Sequence, residues 1–415
     1  MLKRVSLLLF APIALAMISA QQPNDATRLE RARALLKQTP LIDGHNDYPW
    51  ALREKAQRVF EKLDIAKPQP AIMTDIPRLR AGGVGGQFWS VYVPVELTGQ
   101  SAVTATLEEI DTVHQMARRY PETFELAATA DDVERIFKQG KIASLIGMEG
   151  GHSIDNSIAA LRMFYRLGAR YMTLTHAKNT GWADSATDDP KFGGLAPFGE
   201  EVVREMNWLG MLVDLSHVSP ETMEDAIRVS QAPVIFSHSS ARALNDVPRN
   251  VPDSVLRLLP KNGGVVMVTF VPGFLSPAVA AWNKLQDAER DRLTKQFPSD
   301  ASAVTRGVND WAAAHPAPRA TLAQAADHID HIRKIAGIDH IGLGSDFDGI
   351  TQVALGLEDV STYPALVAEL LRRGYKDDEI KKILGQNILR VMREAEKVSK
   401  RLQSERGPST ALFQQ

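Results

Sequence analysis

The stretch LIDGHND (41–47) joins a short apolar run to polar side chains at its end, and three further stretches along the chain do the same. These are IASLIGMEG (142–150), GMLVDLSH (210–217) and PVIFSHS (233–239). Near-continuous apolar runs of this length are typical of parallel strands that are buried on both faces. Each stretch therefore predicts a buried strand that presents polar side chains at its carboxyl end.

Eight candidate strands alternate with amphipathic helical patterns, which favours a closed α/β barrel of the (β/α)8 type over an open sheet. The candidate strands are 41–47, 86–93, 142–149, 170–176, 211–217, 233–238, 264–270 and 340–346. The candidate helices include 103–119, 155–166, 199–208, 219–230, 321–336, 361–373 and 376–395. Such a TIM barrel keeps its active site at the carboxyl ends of the strands, so the polar residues there are the candidate site.

The composition fits one large domain over residues 21–395. A hydrophobic fraction of 44% is ample for a core, and a net charge of -2 gives no field that would attract nucleic acid. The segment 275–320 exceeds what one crossover helix needs, and we interpret it as a surface insertion with two helical stretches. Residues 396–415 are expected to form a frayed C-terminal tail.

The first 20 residues have the pattern of a secretory signal peptide. Lys3 and Arg4 precede an apolar stretch that ends before the small residues Ser19 and Ala20. The chain has no cysteine, which excludes disulfides and a lipid-anchored cysteine, and its C-terminal segment is polar. We therefore expect an exported protein, periplasmic or secreted, with no membrane anchor.

Five residues with metal-ligating side chains lie at the ends of these runs. They are His45, Asp47, Glu149, His217 and His238. A separation of two residues on a strand puts the first two side chains on one face, about 7 Å apart. A carboxylate has two oxygens and can bridge two cations, and neutral imidazoles suit zinc. Three imidazoles and two carboxylates on one rim predict a dinuclear hydrolytic centre.

Other polar residues at the same rim leave alternatives open. His176 suits either a metal ligand or a hydrogen-bond donor to an oxyanion. Asp346 and Asp348 are both candidates for the general acid or base. Arg249, followed by Asn250, could clamp a substrate carboxylate, or it could belong to a helix entry in which Asp253 supplies the contacts.

The remaining histidines are interpreted as structural. His152 is expected to help cap a helix that begins near Ser153. The others are expected to be solvated surface residues: His114, His315, His328, His331 and His340. No G-x-S-x-G motif and no cysteine is present, so a water activated by metal is the predicted nucleophile.

Seven motifs in order resemble those of the membrane (renal-type) dipeptidases, peptidase family M19 of the amidohydrolase-like barrels. They are DGHNDYPW (43–50), GMEGGHSID (147–155), TLTHAKNTGWAD (173–184), DLSHVS (214–219), FSHSSARA (236–243), RNVPD (249–253) and GSDFDG (344–349). The resemblance runs from about Leu41 to Ile388. It implies a dipeptidase, and, since family members are commonly dimers, a non-covalent homodimer.

The resemblance also implies a role for each candidate residue. His45 and Asp47 would hold one zinc ion, His217 and His238 a second, and Glu149 would bridge them. A hydroxide shared by the ions would attack the peptide carbonyl. The substrate contacts would come from His176 at the oxyanion, Arg249 at the terminal carboxylate, and Asp346 at the amino group, with Asp346 also moving the proton to the leaving amine.

Two other functions are compatible with the same residues. A dinuclear centre also hydrolyses lactones or N-acyl amino acids, since one barrel site serves many substrates. Arg249 and Asp346 favour a dipeptide instead, because together they suit a zwitterion with both termini free. A barrel that only binds a solute would be favoured by a missing ligand, and none of the five is missing.

Overall fold

A computed structural model of the protein describes residues 25–414; the predicted signal peptide lies outside this range. The strands are β1 Leu41–Asn46, β2 Val84–Tyr92, β3 Phe124–Leu126, β4 Ile142–Glu149, β5 Ala169–Thr173, β6 Leu212–Asp214, β7 Ile235–Ser239, β8 Val265–Val268 and β9 Ile341–Leu343. Eight of them coincide with the predicted strands. Only β3 was not predicted, because three residues are too few to show a periodic pattern.

The strands form one parallel sheet that closes on itself. Their order is β2-β1-β9-β8-β7-β6-β5-β4-β3, and a further pairing joins β2 to β4. That pairing runs from Gly86 opposite Ala143 to Tyr92 opposite Glu149. The eight strands without β3 therefore make a closed barrel, which confirms the predicted fold class, and β3 extends the sheet beside β4 outside it.

Helices follow most of the strands and cover the outside of the barrel. The α-helices are α1 Asp25–Leu36, α2 Tyr48–Ala56, α3 Ile76–Gly82, α4 Gln100–Arg119, α5 Ala130–Lys138, α6 Ile158–Arg166, α7 Pro197–Leu209, α8 Pro220–Val229, α9 Asp253–Leu256, α10 Leu259–Asn262, α11 Pro272–Leu275, α12 Pro277–Gln296, α13 Ala301–Ala314, α14 Leu322–Ile335, α15 Tyr363–Arg372, α16 Asp377–Lys381 and α17 Asn387–Glu405. None of the described helices is both long and apolar enough to cross a membrane.

Large side chains fill the inside of the barrel where other strands carry glycine. The Tyr171 ring lies where a Cβ on Gly147 would overlap it, and Met267 lies in the same way against Gly44. Tyr171 and Met267 are both fully buried. The barrel is thus a packed core beneath the rim and not a pore.

The segment interpreted as an insertion contains a helical hairpin of α12 and α13. Trp282 of α12 donates a hydrogen bond from Nε1 to the His315 carbonyl at 2.7 Å, and its ring lies 5.5 Å from that of Trp311. A small apolar cluster of Leu293, Val304 and Val308 holds the two helices together. The hairpin therefore has a small core of its own.

The expectation of a frayed tail from residue 396 is wrong, because α17 continues to Glu405. Its Leu402 is buried, and Ser399 donates a hydrogen bond to the Trp208 carbonyl at 2.7 Å. The predicted helix 376–395 is also interrupted by a π-helical turn, Lys382–Gln386. The apolar face that packs on α7 thus extends about ten residues further than the pattern indicated.

Candidate metal centre and substrate pocket

The candidate site residues come from six strand ends and meet at one rim. His45 lies in β1, Glu149 is the last residue of β4, and His238 lies in β7. His176, His217 and Asp346 each lie three residues beyond a strand, after β5, β6 and β9. They line, or lie directly beneath, a cavity of about 980 Å³ that opens at the rim.

Glu149 lies at the centre of these side chains. Its Oε2 is 3.5 Å from His45 Nε2, while its Oε1 is 2.9 Å from His217 Nε2 and 3.5 Å from His238 Nε2. His176 Nε2 is 3.7 Å from the same Oε1. The two oxygens of one carboxylate therefore face different histidines.

The surrounding ligand atoms approach one another closely. His217 Nε2 and His238 Nε2 are 2.9 Å apart, and His45 Nε2 is 3.3 Å from Asp47 Oδ2. Three groups have ligand atoms within 4.8 Å of one another: His45, Glu149 and His238; Glu149, His176 and His217; and His45, Asp47 and Asp346. The groups share Glu149 and His45, so they form one continuous cluster of nitrogen and oxygen ligands.

Electrostatics affect the three candidate imidazoles differently. Burial opposes the charge of His45, but Tyr171, Asp47 and Glu149 raise its pKa well above the usual value. Burial, with the nearby charge of Arg249, holds the pKa of His217 and His238 well below the usual value, so both are neutral at pH 7. Burial opposes the charge of Glu149, but His45 and His176 hold its pKa well below the usual range. A charged carboxylate beside neutral imidazoles is the donor set that zinc prefers.

Two buried aspartates that the sequence analysis did not single out hold the strand ends in place. Asp43 accepts hydrogen bonds from the Ser345 amide and hydroxyl, at 2.8 and 2.6 Å, and from Tyr363 at 2.7 Å. Asp214 accepts from Thr173 at 2.5 Å and from Ser237 at 2.6 Å. Their positions in the sequence could have identified them, since each lies two or three residues before a candidate histidine.

Asp346 and Asp348, which the spacing left as rivals, have different surroundings. Asp348 Oδ1 accepts a hydrogen bond from the Met73 amide at 2.6 Å, so it anchors a loop, and burial raises its pKa to about 6. Asp346 faces Asp47 and His45, and burial, with the charges of Asp47 and Glu149, raises its pKa well above the usual value. Both residues and His217 have φ near 70°, a strain typical of functional sites.

Arg249 is a nearly buried cation at the edge of the pocket. Only 5% of it is exposed, and among the described residues its Nη1 has no hydrogen-bond partner. The guanidinium lies 5.2 Å from the Phe274 ring, and burial lowers its pKa to about 10. Asp253, the alternative partner from the sequence, bonds His331 at 2.7 Å instead. Arg249 is thus left with donors that face the pocket.

Three histidines differ from their expected places. His152 lies in a short 3₁₀ helix, and its Nε2 bonds the Val93 carbonyl at 3.1 Å, so it does not cap a helix. His328 and His340 are buried and not solvated. His328 bonds the Ala241 amide and the Leu275 carbonyl, and His340 bonds the Gly264 carbonyl. A local periodic pattern does not distinguish a buried from an exposed histidine at these positions.

Comparison with known proteins identifies the family of this site. Residues 29–406 match the sequence profile of membrane dipeptidase, peptidase family M19. The chain belongs to the membrane dipeptidase family. The resemblance drawn from the seven motifs is thereby confirmed, and this M19 chain is a metallopeptidase that acts as a dipeptidase.

Relatives of this dipeptidase support the assignment along most of its length. It is 41% identical over 385 residues to dipeptidase verJ of Clonostachys rogersoniana, covering 90% of this chain and 89% of that protein. The crystal structure of the probable dipeptidase PvdM from Pseudomonas aeruginosa has a TM-score of 0.79 at 27% identity, covering 90% of this chain and 99% of that one.

A more distant structure shares the fold of this dipeptidase. It is a metallo peptidase from Rhodobacter sphaeroides liganded with a phosphinate mimic of the dipeptide L-Ala-D-Ala. The TM-score is 0.71 at 24% identity, and the match covers 86% of this chain and 99% of that chain. The barrel is therefore retained where few residues are identical.

Proposed function

We propose that this dipeptidase uses two zinc ions that share Glu149. His45 and Asp47 would hold one ion, and His217 and His238 the other. The observation that carries the proposal is that the two oxygens of Glu149 face His45 on one side and the other two histidines on the other.

Buried polar atoms without hydrogen-bond partners support the proposal that a cation binds here. His45 Nε2 is buried and has no hydrogen-bond partner among the described residues, although two carboxylates lie near it. The Nε2 atoms of His217 and His238 are 2.9 Å apart, close enough for both to bind one ion. Bound zinc ions would supply a water nucleophile at neutral pH.

The remaining residues would bind and orient the substrate. Arg249 would accept the free carboxylate of a dipeptide, for which its unpartnered Nη1 is available. Asp346, which lies beside His45 and Asp47, would bind the free ammonium group and move a proton to the leaving amine. His176, 3.7 Å from Glu149, would donate to the oxyanion. The dipeptide mimic bound by the Rhodobacter sphaeroides relative fits this substrate class.

Zinc titration of the metal-free protein tests the proposal. Hydrolysis of Ala-Ala should rise until two equivalents of zinc are bound and then level off, with metal content measured by mass spectrometry on the same samples. Full activity with a single bound equivalent would contradict the dinuclear centre. Export and a non-covalent homodimer stay predictions, which cell fractionation and analytical ultracentrifugation would check.

A further inference from the structure

The three histidines of the proposed zinc centre differ in what their second ring nitrogen contacts. In each ring Nε2 faces the centre, so Nδ1 is the atom that meets the surrounding protein. A neutral imidazole that binds metal through Nε2 must carry its hydrogen on Nδ1. A ring whose Nδ1 hydrogen has an acceptor therefore presents the lone pair of Nε2 to a metal, and we call such a ring prepared. This inference rests on the metal centre proposed above.

His45 is prepared by Tyr171. Its Nδ1 lies 2.9 Å from Tyr171 Oη, and that hydroxyl lies 3.2 Å from the Gly44 carbonyl. A carbonyl can only accept, so the tyrosine donates its hydrogen there and accepts one from His45 Nδ1. In the neutral ring, which is the form that binds metal, the lone pair is then on Nε2. Because the Tyr171 ring is fully buried and packed against Gly147, this acceptor is fixed in place.

His238 is prepared by Ser237 and Asp214. Its Nδ1 lies 2.9 Å from Ser237 Oγ, which is 2.6 Å from Asp214 Oδ2. Asp214 also accepts hydrogen bonds from the Thr173 hydroxyl and from the Ser216 and Ser237 amides. The carboxylate therefore acts as the acceptor in each of these bonds. Ser237 therefore donates to Asp214 and accepts the hydrogen of His238 Nδ1.

His217 has no such partner. Among the described residues nothing hydrogen-bonds its buried Nδ1, and its Nε2 lies 2.9 Å from His238 Nε2. Glu149 Oε1 also lies 2.9 Å from His217 Nε2, and because both this carboxylate and the lone pair of His238 Nε2 can only accept, the hydrogen belongs to His217 Nε2. This ring must move its hydrogen to Nδ1, where no residue of the described part of the chain accepts it, before it can bind a cation.

We propose that Tyr171 and the Ser237–Asp214 pair are positioning residues that prepare His45 and His238 for zinc, while His217 is left unprepared. Outer partners of this kind typically contribute 10- to 100-fold to metal affinity. The hydroxyls of Tyr171 and Ser237 should thus each affect zinc binding without contacting substrate or zinc.

Zinc affinity measured by competition with a chromophoric chelator tests this directly. Tyr171→Phe and Ser237→Ala should each weaken the binding of one zinc equivalent by about 10- to 100-fold. At saturating zinc, kcat for Ala-Ala should return to within a few-fold of wild type, a split that a general loss of fold would not give. Tyr375→Phe is the matched control, since that nearly buried hydroxyl donates to Asp330 at 2.7 Å, away from the site.

Wild-type zinc affinity in both variants would overturn the proposal and leave the dipeptidase function intact. A wild-type protein that binds no zinc would instead overturn the zinc centre itself. If a variant does not fold, long-range ¹H–¹⁵N spectra of the zinc-free wild type decide. We expect hydrogen on Nδ1 of His45 and His238 and on Nε2 of His217. A bare Nδ1 in His45 or His238, or hydrogen on Nδ1 of His217, would contradict the assignment.

Discussion

Glu149 is the residue on which the proposed centre depends most, because its two oxygens reach both halves of the cluster, as those of no other carboxylate among residues 25–414 do. Glu149→Gln keeps the shape but offers a neutral amide, which bridges two cations poorly. We expect kcat/KM to fall by more than about a hundredfold, with loss of bound zinc. Metal content and Ala-Ala hydrolysis should be measured on the same preparation.

His152→Ala is the control for that substitution. His152 is three residues away in the chain, but its ring bonds the Val93 carbonyl, and it belongs to none of the three groups of candidate ligands. Losing this hydrogen bond should cost about 1 kcal/mol of stability and leave zinc and most of the turnover in place. Equal loss of metal in both variants would show that the assignment at the end of β4 is wrong.

Arg249 and Asp346 should set specificity, because a fixed cation and a fixed carboxylate define the distance between substrate termini. A charge left unpaired by a blocked terminus costs about 2–5 kcal/mol, so Ala-Ala-amide and N-acetyl-Ala-Ala should lose well over tenfold in kcat/KM. Ala-Ala-Ala should overrun the site. Comparable turnover of N-acetyl-Ala-Ala would favour an N-acyl amino acid amidase.

Substitution of the arginine should remove one half of that discrimination. Arg249→Ala should lower the rate for Ala-Ala and make Ala-Ala-amide an almost equal substrate, since no cation remains to be satisfied. Arg257→Ala is a suitable control, because that side chain is 63% exposed and makes only a 3.8 Å ion pair with Asp253. Discrimination that persists in Arg249→Ala would place the carboxylate elsewhere.

At the scale of elements, the segment after α17 behaves as part of the fold. The Trp208 indole of α7 donates to the Arg406 carbonyl at 3.0 Å, and the Ser409 amide donates to Glu205 at 2.9 Å. Further along, the Phe413 ring lies 5.3 Å from Phe198. The segment 406–414 therefore runs across α7 toward the loop that follows β5.

Phe413→Ala should destabilise the protein by about 1–2 kcal/mol, because it removes partly buried aromatic surface and a ring pair. The neighbouring Leu412→Ala is the matched control, since Leu412 is 83% exposed and its loss should change stability by less than about 0.5 kcal/mol. Midpoints of thermal unfolding, compared at one scan rate, would test this. Equal midpoints for the two variants would mean that the segment does not pack in solution.

At the scale of the whole molecule, the candidate ligands cap a barrel that is already packed. Tyr171 and Met267 fill its interior, and the sheet closes through β2 and β4 without help from the rim. Metal should therefore contribute to activity far more than to folding.

Removal of metal by a chelator should abolish dipeptide hydrolysis while far-UV circular dichroism stays nearly unchanged. Re-addition of zinc should restore the activity, which separates metal loss from irreversible unfolding. A large loss of helical signal on chelation would show that the centre is needed for the fold.

The sequence determined the eight strands, the barrel class, the family and the set of rim residues. It could do so because buried parallel strands have near-continuous apolar runs, and because a polar residue at the end of each run must lie at the same rim. His45, Glu149 and His238 are such residues, since each lies in a strand that the apolar pattern predicts.

Only the tertiary structure decided what depends on contacts between distant parts of the chain. Asp346 and Asp348 have nearly the same φ, but the Met73 amide donates to Asp348, whereas Asp346 lies beside the ligand atoms of His45 and Asp47. The freedom of Arg249 from Asp253, and the burial of His328 and His340, likewise depend on neighbours far away in the sequence. Local periodicity reports which face of an element is apolar, whereas hydrogen bonds and burial depend on what packs against that face.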